Sequence, residues 1–571
     1  MAVVHPREPD DGIEELKDGD EDGMSLLYTG KESLDAARYS STDEKSPDVA
    51  LIDAQWLIKH GHVDVVGTPC RQQLPSEAFF KDNLEDESVE VIAISCPWLT
   101  PTHPDPEGWH LAIVQHFLTG YFTWLGKGMA RDRLSRYAVP PEGQDKRVAV
   151  FWDWLSLYQE HNPGGWTERE RASFNRAREN IDLWFASKET MVWQLTKLPP
   201  APGPGHDIPL FYYRGWCFFE LTLSEMTTPW DRVLDLGLAV GGANESGGPT
   251  FQEFNGWRAP AEEAVATTQS LPAVVQHCSY QQREFPMDPG TFNENIRTRS
   301  FAVNSDAEFV RAKYEACWTA TVASSKNLNF SGCNFASELS DMSPILEICA
   351  SNLRVLDLSR NGVWGTLRAL SVCKNLETLN LSQCSGLTGP GDAIPDGWSI
   401  KLTKLGLRYV PPMRQDGSQP PDRPHHPRGV SDLNPLKALK NLRVLQLCGC
   451  GELAGSLEPL QGLTQLTFLN LERCEKLTGD LFPLSPLFEL GYLNLSGCYQ
   501  LVGDLKPIHK LLELTSVNLD KCKNLIGELE FKRAHQFCKV ISPLGQDIQV
   551  PEPIGARARL DNELEACCLL S

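Results

Sequence analysis

Four stretches decide the fold: LRVLQLCGC (442–450), LTFLNLERC (466–474), LGYLNLSGC (490–498) and LTSVNLDKC (514–522), whose starts are spaced by 24 residues. Within each, apolar residues alternate with others over about six positions, the pattern of a short strand with one buried face. A single strand of that length cannot bury its leucines, so each copy must stack on the next. Working outward, LRVLDLSRN begins at Leu353 and LETLNLSQC at Leu376. LTKLGL begins at Leu402, with a Pro-rich insertion at 409–430 lengthening the return to Leu442. A degenerate first copy surrounds Leu328 and Phe330.

These segments resemble the leucine-rich-repeat pattern LxxLxLxxN/C, and the G-x-L-x-P-L segments that follow (455–460, 479–484) resemble its plant-type subclass. The resemblance implies a solenoid over 321–535, closed by a C-terminal cap and tail at 536–571, that binds a protein or peptide on its concave face. Cys384, Cys450, Cys474, Cys498 and Cys522 share one repeat position with Asn361; they read as a ladder of small buried thiols. Strand alternation puts two stripes on the concave face. One is Asp357, Asn380, Gln446, Asn470, Asn494, Asn518; the other is Val355, Thr378, Val444, Phe468, Tyr492, Ser516. Phe468 and Tyr492 are the expected exposed anchors for a partner, beside Asn380, Gln446, Asn470, Asn494 and Asn518. The Asn column reads equally well as hydrogen-bonding to itself.

Upstream, residues 1–48 are acidic and poor in aromatics and read as disordered. Residues 50–320 carry strand-like runs at 89–95, 147–153 and 190–195, with helical stretches at 108–125 and 168–187 between them. That alternation predicts an α/β domain with a parallel sheet. The stretches 199–209 and 241–248, rich in Pro and Gly, read as loops.

In this region Trp216-Cys217-Phe218-Phe219-Glu220-Leu221 resembles the W-C-x-x-E-L motif of plant-type TIR (Toll/interleukin-receptor) domains. A first strand ending in Ser95 and a second ending at Asp153 follow the order of that family. The segment 153–159, with Glu168 and Arg169, is similar to the fungal HET domain. The resemblance implies a flavodoxin-like sheet, self-association, and cleavage of NAD at the nicotinamide ribosyl bond. It implies Glu220 as the catalytic residue, a carboxylate facing the cationic sugar, and Ser95, Asp153 and Trp216 around the nucleotide. NAD would be substrate, with no cofactor required. The family's F-R-G-x-D-T after the first strand is replaced here by Cys96-Pro97-Trp98-Leu99-Thr100-Pro101, so the nucleotide-facing loop differs. The opposing reading is a non-enzymatic scaffold in which both domains bind proteins.

Composition bounds the rest. A formal net charge of −22 argues against general nucleic-acid binding. Seventeen cysteines with no signal-peptide pattern at the start predict reduced thiols in the cytoplasm. His103 and His110 lack partners at ligand spacing, so no metal site is expected. The closing Cys567-Cys568-Leu569-Leu570-Ser571 fits a C-a-a-X signal, predicting prenylation of Cys568, palmitoylation of Cys567 and attachment to the cytoplasmic face of a membrane.

Overall fold

The computed structural model describes residues 30–39, 47–60, 67–125, 147–160, 165–200, 210–244, 249–251, 274–275, 277–279, 283–382, 384, 386–388, 404–406, 432–450, 453–527, 539–541 and 547–548. The start of the chain, the loop at 201–209, the insertion at 409–430 and the cysteines Cys567 and Cys568 lie outside them. Two compact units divide the chain between Thr321 and Val322.

The first unit is built on short apolar runs that a parallel sheet can bury on both faces. Its strands are β1 (Ile52–Asp53), β2 (Val89–Ser95), β3 (Arg147–Phe151), β4 (Thr190–Gln194) and β5 (Val233–Asp235), in the order β1-β3-β2-β4-β5. All pair parallel except β1, which runs antiparallel along β3. Counting β2 as first, the parallel strands stand in the order 2-1-3-4 of flavodoxin-like sheets. Such a sheet has a switch point between its first and third strands, here β2 and β4, and open α/β sheets bind ligands at the carboxyl ends there.

The described helices of this unit include α1 (Lys31–Arg38), α2 (Ala54–His60), α3 (Trp109–Leu125), α4 (Asp153–Ser156), α5 (Glu168–Glu179), α6 (Leu183–Ala186) and α7 (Gly215–Thr227), with two more at Pro289–Ile296 and Asp306–Trp318. Ile92, Ile94, Val150, Met191 and Trp193 pack with Leu57 of α2 and with Leu111, Val114 and Phe117 of α3. On the other face Phe151 stacks on Trp184 of α6, ring centroids 4.9 Å apart and 6° from parallel. Thr167 caps α5 with a reciprocal bond to Glu170.

One expectation is corrected here. Residues 31–38 form α1, where disorder was expected. Leu34 and Ala37 are buried, and the Arg38 guanidinium, 2% exposed, donates to the carbonyls of Phe80 and Asp82 and to Asp35. Local acidity hid a helical turn whose stability comes from a distant backbone.

The second unit is a leucine-rich-repeat solenoid. Strands at Asn327–Asn329, Val355–Asp357, Thr378–Asn380, Lys404–Gly406, Val444–Gln446, Phe468–Asn470, Tyr492–Asn494 and Ser516–Asn518 pair parallel in chain order. Their middle residues align: Leu328, Leu356, Leu379, Leu405, Leu445, Leu469, Leu493 and Val517 are register partners, all buried. The sheet runs past residue 535, for Lys539–Ile541 adds a parallel strand and Asp547–Ile548 an antiparallel one. Opposite the main sheet, short second strands pair parallel, such as Ala454–Ser456 with Lys476–Thr478. Each L-x-P-L segment there makes a tight helical turn with Pro at its start, as at Glu458–Leu460 and Phe482–Leu484. Among the described residues no helix is long and apolar enough to cross a membrane.

Candidate functional site

β2 must end where Ser95 replaces an apolar residue, and α7 starts just after the turn at Phe211–Tyr213. The fold brings these ends together: Ser95 Oγ donates to Glu220 Oε2 at 2.6 Å. Ser95 is fully buried and Glu220 is 8% exposed. Asp153 opens α4 two residues after β3, near enough for its charge to act on Glu220. Its carboxylate accepts from the Trp154 amide at 2.7 Å and from the Trp98 indole. Three residues distant in sequence therefore meet at the carboxyl ends of the strands.

Burial governs their electrostatics. It pushes Glu220 well above the usual carboxylate range; the charge of Asp153 adds to this, and the bond from Ser95 only partly opposes it. Asp153 is pushed up to about 6, again by burial, against the bonds from Trp154 and Trp98. Both carboxyls are thus held above their ordinary range, with Asp153 mostly ionised at pH 7. Burial and the neighbouring charge act in the same direction, because a low-dielectric site disfavours the second of two neighbouring charges. Cys96 and Cys217 flank the pair and stay thiols, held up first by burial and then by the neighbouring acids.

The surrounding groups are mostly fixed by the backbone. Arg214, preceding α7, donates to the Trp98 carbonyl at 2.8 Å. His103 Nδ1 accepts from the Asp105 amide at 2.9 Å, and its ring lies 4.7 Å from that of Trp154. Asp105 accepts from Thr68 and from the Leu111 amide at the start of α3. Trp216 is placed differently from the other three expected residues. Its indole donates to Asp306 at 3.0 Å, and its ring lies near Phe219, Phe309 and Arg178. Packing accounts for its position. Among the described residues no group of three acids, thiols or imidazoles is placed to hold a metal ion. Cys96, Cys217, Trp98 and Gln194 were not singled out from sequence. The available signal was a polar residue closing an apolar strand, as Gln194 closes TMVWQ just as Ser95 closes VEVIAIS.

On the solenoid the register follows the alternation, but the face is less open than expected. Phe468 is only 7% exposed, and it stacks on half-buried Tyr492 at 4.2 Å and 4° with Val444 alongside. Alternation gives the face a residue takes; it does not give the cover its neighbours provide. The polar stripe is spent on the chain itself. The side-chain oxygens of Asp357, Asn380, Asn470, Asn494 and Asn518 each accept the amide two residues on, at 2.8–3.1 Å. Asn380 also donates to Asp357, and Asn494 to Glu472. Gln446, one methylene longer, is buried with its Oε1 unpartnered.

The thiol ladder is a hydrogen-bond ladder. Cys384, Cys474, Cys498 and Cys522 each donate to a carbonyl of the preceding repeat, at 2.9–3.1 Å. Asn361 does the same toward Phe330 at 2.8 Å.

No family model matches the chain, and no curated protein does. Solved structures do match in part. One is a TDR receptor, at 20% identity and TM-score 0.28 over 38% of this chain and 39% of that one. The leucine-rich-repeat protein LIC12759 of Leptospira interrogans gives 16% identity and TM-score 0.28 over 45% and 63%. The Arabidopsis receptor kinase HAESA, solved with the peptide hormone IDA and the co-receptor SERK1, gives 22% identity and TM-score 0.23 over 35% and 35%. The chain spans less than two thirds of each. The register of its own strands, rather than these likenesses, makes the second unit a solenoid. The TIR and HET resemblances have no support from the comparisons.

Proposed function

We propose that the chain is a signalling protein whose α/β unit hydrolyses the nicotinamide ribosyl bond of NAD and whose solenoid binds a protein partner. The observation that carries the hydrolase reading is the 2.6 Å contact between Ser95 and Glu220 beside Asp153, at a sheet switch point. Two carboxyls held at different proton affinities divide the work of acid and base chemistry. In this reading Glu220 hydrogen-bonds the ribose hydroxyls. Ionised Asp153 offsets the positive charge that develops on the sugar as the C–N bond breaks. The bonding pair leaves with the nicotinamide nitrogen, and water adds to the ribose carbon with loss of its proton. Support for the solenoid reading is the aromatic stack of Phe468 and Tyr492 on the face that the Asn turns hold flat.

Nicotinamide release by the full-length protein tests the enzyme. Glu220→Ala should abolish it, Glu220→Gln should retain part of it, and activity should rise as pH passes through about 6, where Asp153 ionises. A wild-type protein that releases none at micromolar concentrations, or equal release by Glu220→Ala, would end this reading.

A second reading, a non-enzymatic scaffold that self-associates through the α/β unit, is favoured by the 8% exposure of Glu220. It predicts no turnover and concentration-dependent sedimentation that Glu220→Ala leaves unchanged.

A further inference from the structure

Ser95, Gln194 and Asp235 end three adjacent strands and pair in register, Ser95 with Gln194 and Gln194 with Asp235. Register partners in a parallel sheet leave by the same face. They form a polar row across β2, β4 and β5 on the face where Ser95 meets Glu220, and Asp153, opening α4 just after β3, is near enough for its charge to act on Glu220. Two members of the row and Asp153 are committed. Ser95 donates to Glu220, and Asp153 accepts from Trp154 and Trp98. Asp235 accepts from Thr196 Oγ1 at 2.5 Å and from the Gly237 amide at 2.9 Å.

Gln194 differs. It is 4% exposed, and its Nε2 has no hydrogen-bond partner among the described residues. A buried donor left unpaired is costly, and folded proteins keep few of them. An unspent amide in line with a serine and its buried acid, at the switch point of the sheet, is where a ligand atom would complete the set.

We propose that Gln194 reads the ligand, its carboxamide pairing with the neutral, planar donor–acceptor edge of an aromatic base held at the strand ends. This rests on the NAD-hydrolase reading above. The chemistry of the row selects such an edge. Its free donor is uncharged, and the Glu220 carboxyl that Ser95 holds beside it disfavours a phosphate there. A glutamine amide forms two parallel hydrogen bonds with a matching edge, as it does with adenine. NAD carries two: the nicotinamide carboxamide and the adenine ring.

The test uses full-length protein with nicotinamide alone and with adenosine alone, followed by saturation-transfer NMR and calorimetry. One of the two should bind, and Gln194→Leu should weaken it at least tenfold without lowering Tm, because leucine replaces an unpaired amide with apolar atoms of similar size. Gln194→Asn, which keeps the amide one methylene shorter, should fall between. Binding of nicotinamide sets the scissile end of NAD at the strand ends; binding of adenosine sets the other end there. The proposal is overturned if neither compound binds, or if Gln194→Leu binds as well as wild type. It is also overturned if that variant melts several degrees lower or fails to fold, since the amide would then have a structural partner. Turnover plays no part in this readout. Base binding that depends on Gln194, without nicotinamide release from NAD, would end the hydrolase reading and leave this one standing.

Discussion

Cys498 shows what a repeat position demands. It is fully buried, and its thiol donates to the Leu471 carbonyl one repeat back at 3.1 Å. Asn361 fills the same position with a carboxamide. The requirement is a small buried donor, which explains why both residue types occur there. Cys498→Ala should cost about 1–2 kcal/mol in urea unfolding, since it removes the thiol's bond and its packing from a closed core, although the Leu471 carbonyl keeps the Cys474 amide. Cys498→Asn should stay within about 1 kcal/mol of wild type. At the strand ends Asp153 makes a pH prediction. Its folded pKa of about 6 lies above an unfolded value of about 3.9. The folded state therefore holds the proton more tightly, and the contribution of Asp153 is fully present below pH 4 and lost as pH rises through 6. The Tm of wild type minus that of Asp153→Asn should fall between pH 4 and 6 and level off above 7, read by thermal scans across that range.

At the scale of the element, each repeat turns twice on left-handed backbone. The residue before the ladder position has φ between 57° and 75° at Gly332, Arg360, Gly449, Arg473, Gly497 and Lys521. Gly455, Gly479, Gly503 and Gly527 recur in the second turn. At Gly479, φ is +88° and a Cβ would come within 3.3 Å of that of Ser456. Gly479→Ala should cost about 1–2 kcal/mol, and Arg473→Gly should gain about 0.5 kcal/mol by relieving φ of 57°. Denaturant midpoints of the two variants should move in opposite directions. Across strands, the stack of Phe468 on Tyr492 ties neighbouring repeats together. Phe468→Ala should cost about 2–4 kcal/mol because the ring is buried. An unchanged Tm would mean that the ring is free to serve a partner alone.

For the molecule as a whole, the cysteines report whether both cores are closed. Of seventeen in the chain, fourteen lie buried and unbonded to one another in the described residues. Burial raises the proton affinity of several of these thiols, to about 12 at Cys373 and Cys384 and about 11 at Cys349 and Cys522. Thiolate is the reactive form, so these should resist labelling. A maleimide reagent should modify no more than three thiols quickly in the native protein and all seventeen in denaturant, counted by intact mass. Rapid native labelling of more than three would show that one of the cores opens.

The sequence by itself determined the solenoid. A leucine that must stack on its counterpart 24 residues later leaves a period that no other arrangement explains, and the aligned Leu445, Leu469 and Leu493 are its outcome. It also determined where β2, β3 and β4 lie, because strands buried on both faces are written as apolar runs. It put Ser95, Asp153 and Glu220 on the list of candidates, but not their proton affinities. Those follow from desolvation and from mutual distance, neither of which has a signature along the chain. Tertiary structure alone decided that Gln194 stands in line with Ser95, because strand register is set by pairing between segments about 100 residues apart. It alone decided that Phe468 is covered and that residues 31–38 are helical. Cover and docking are properties of what lies opposite a segment, and the local sequence carries no record of its neighbours.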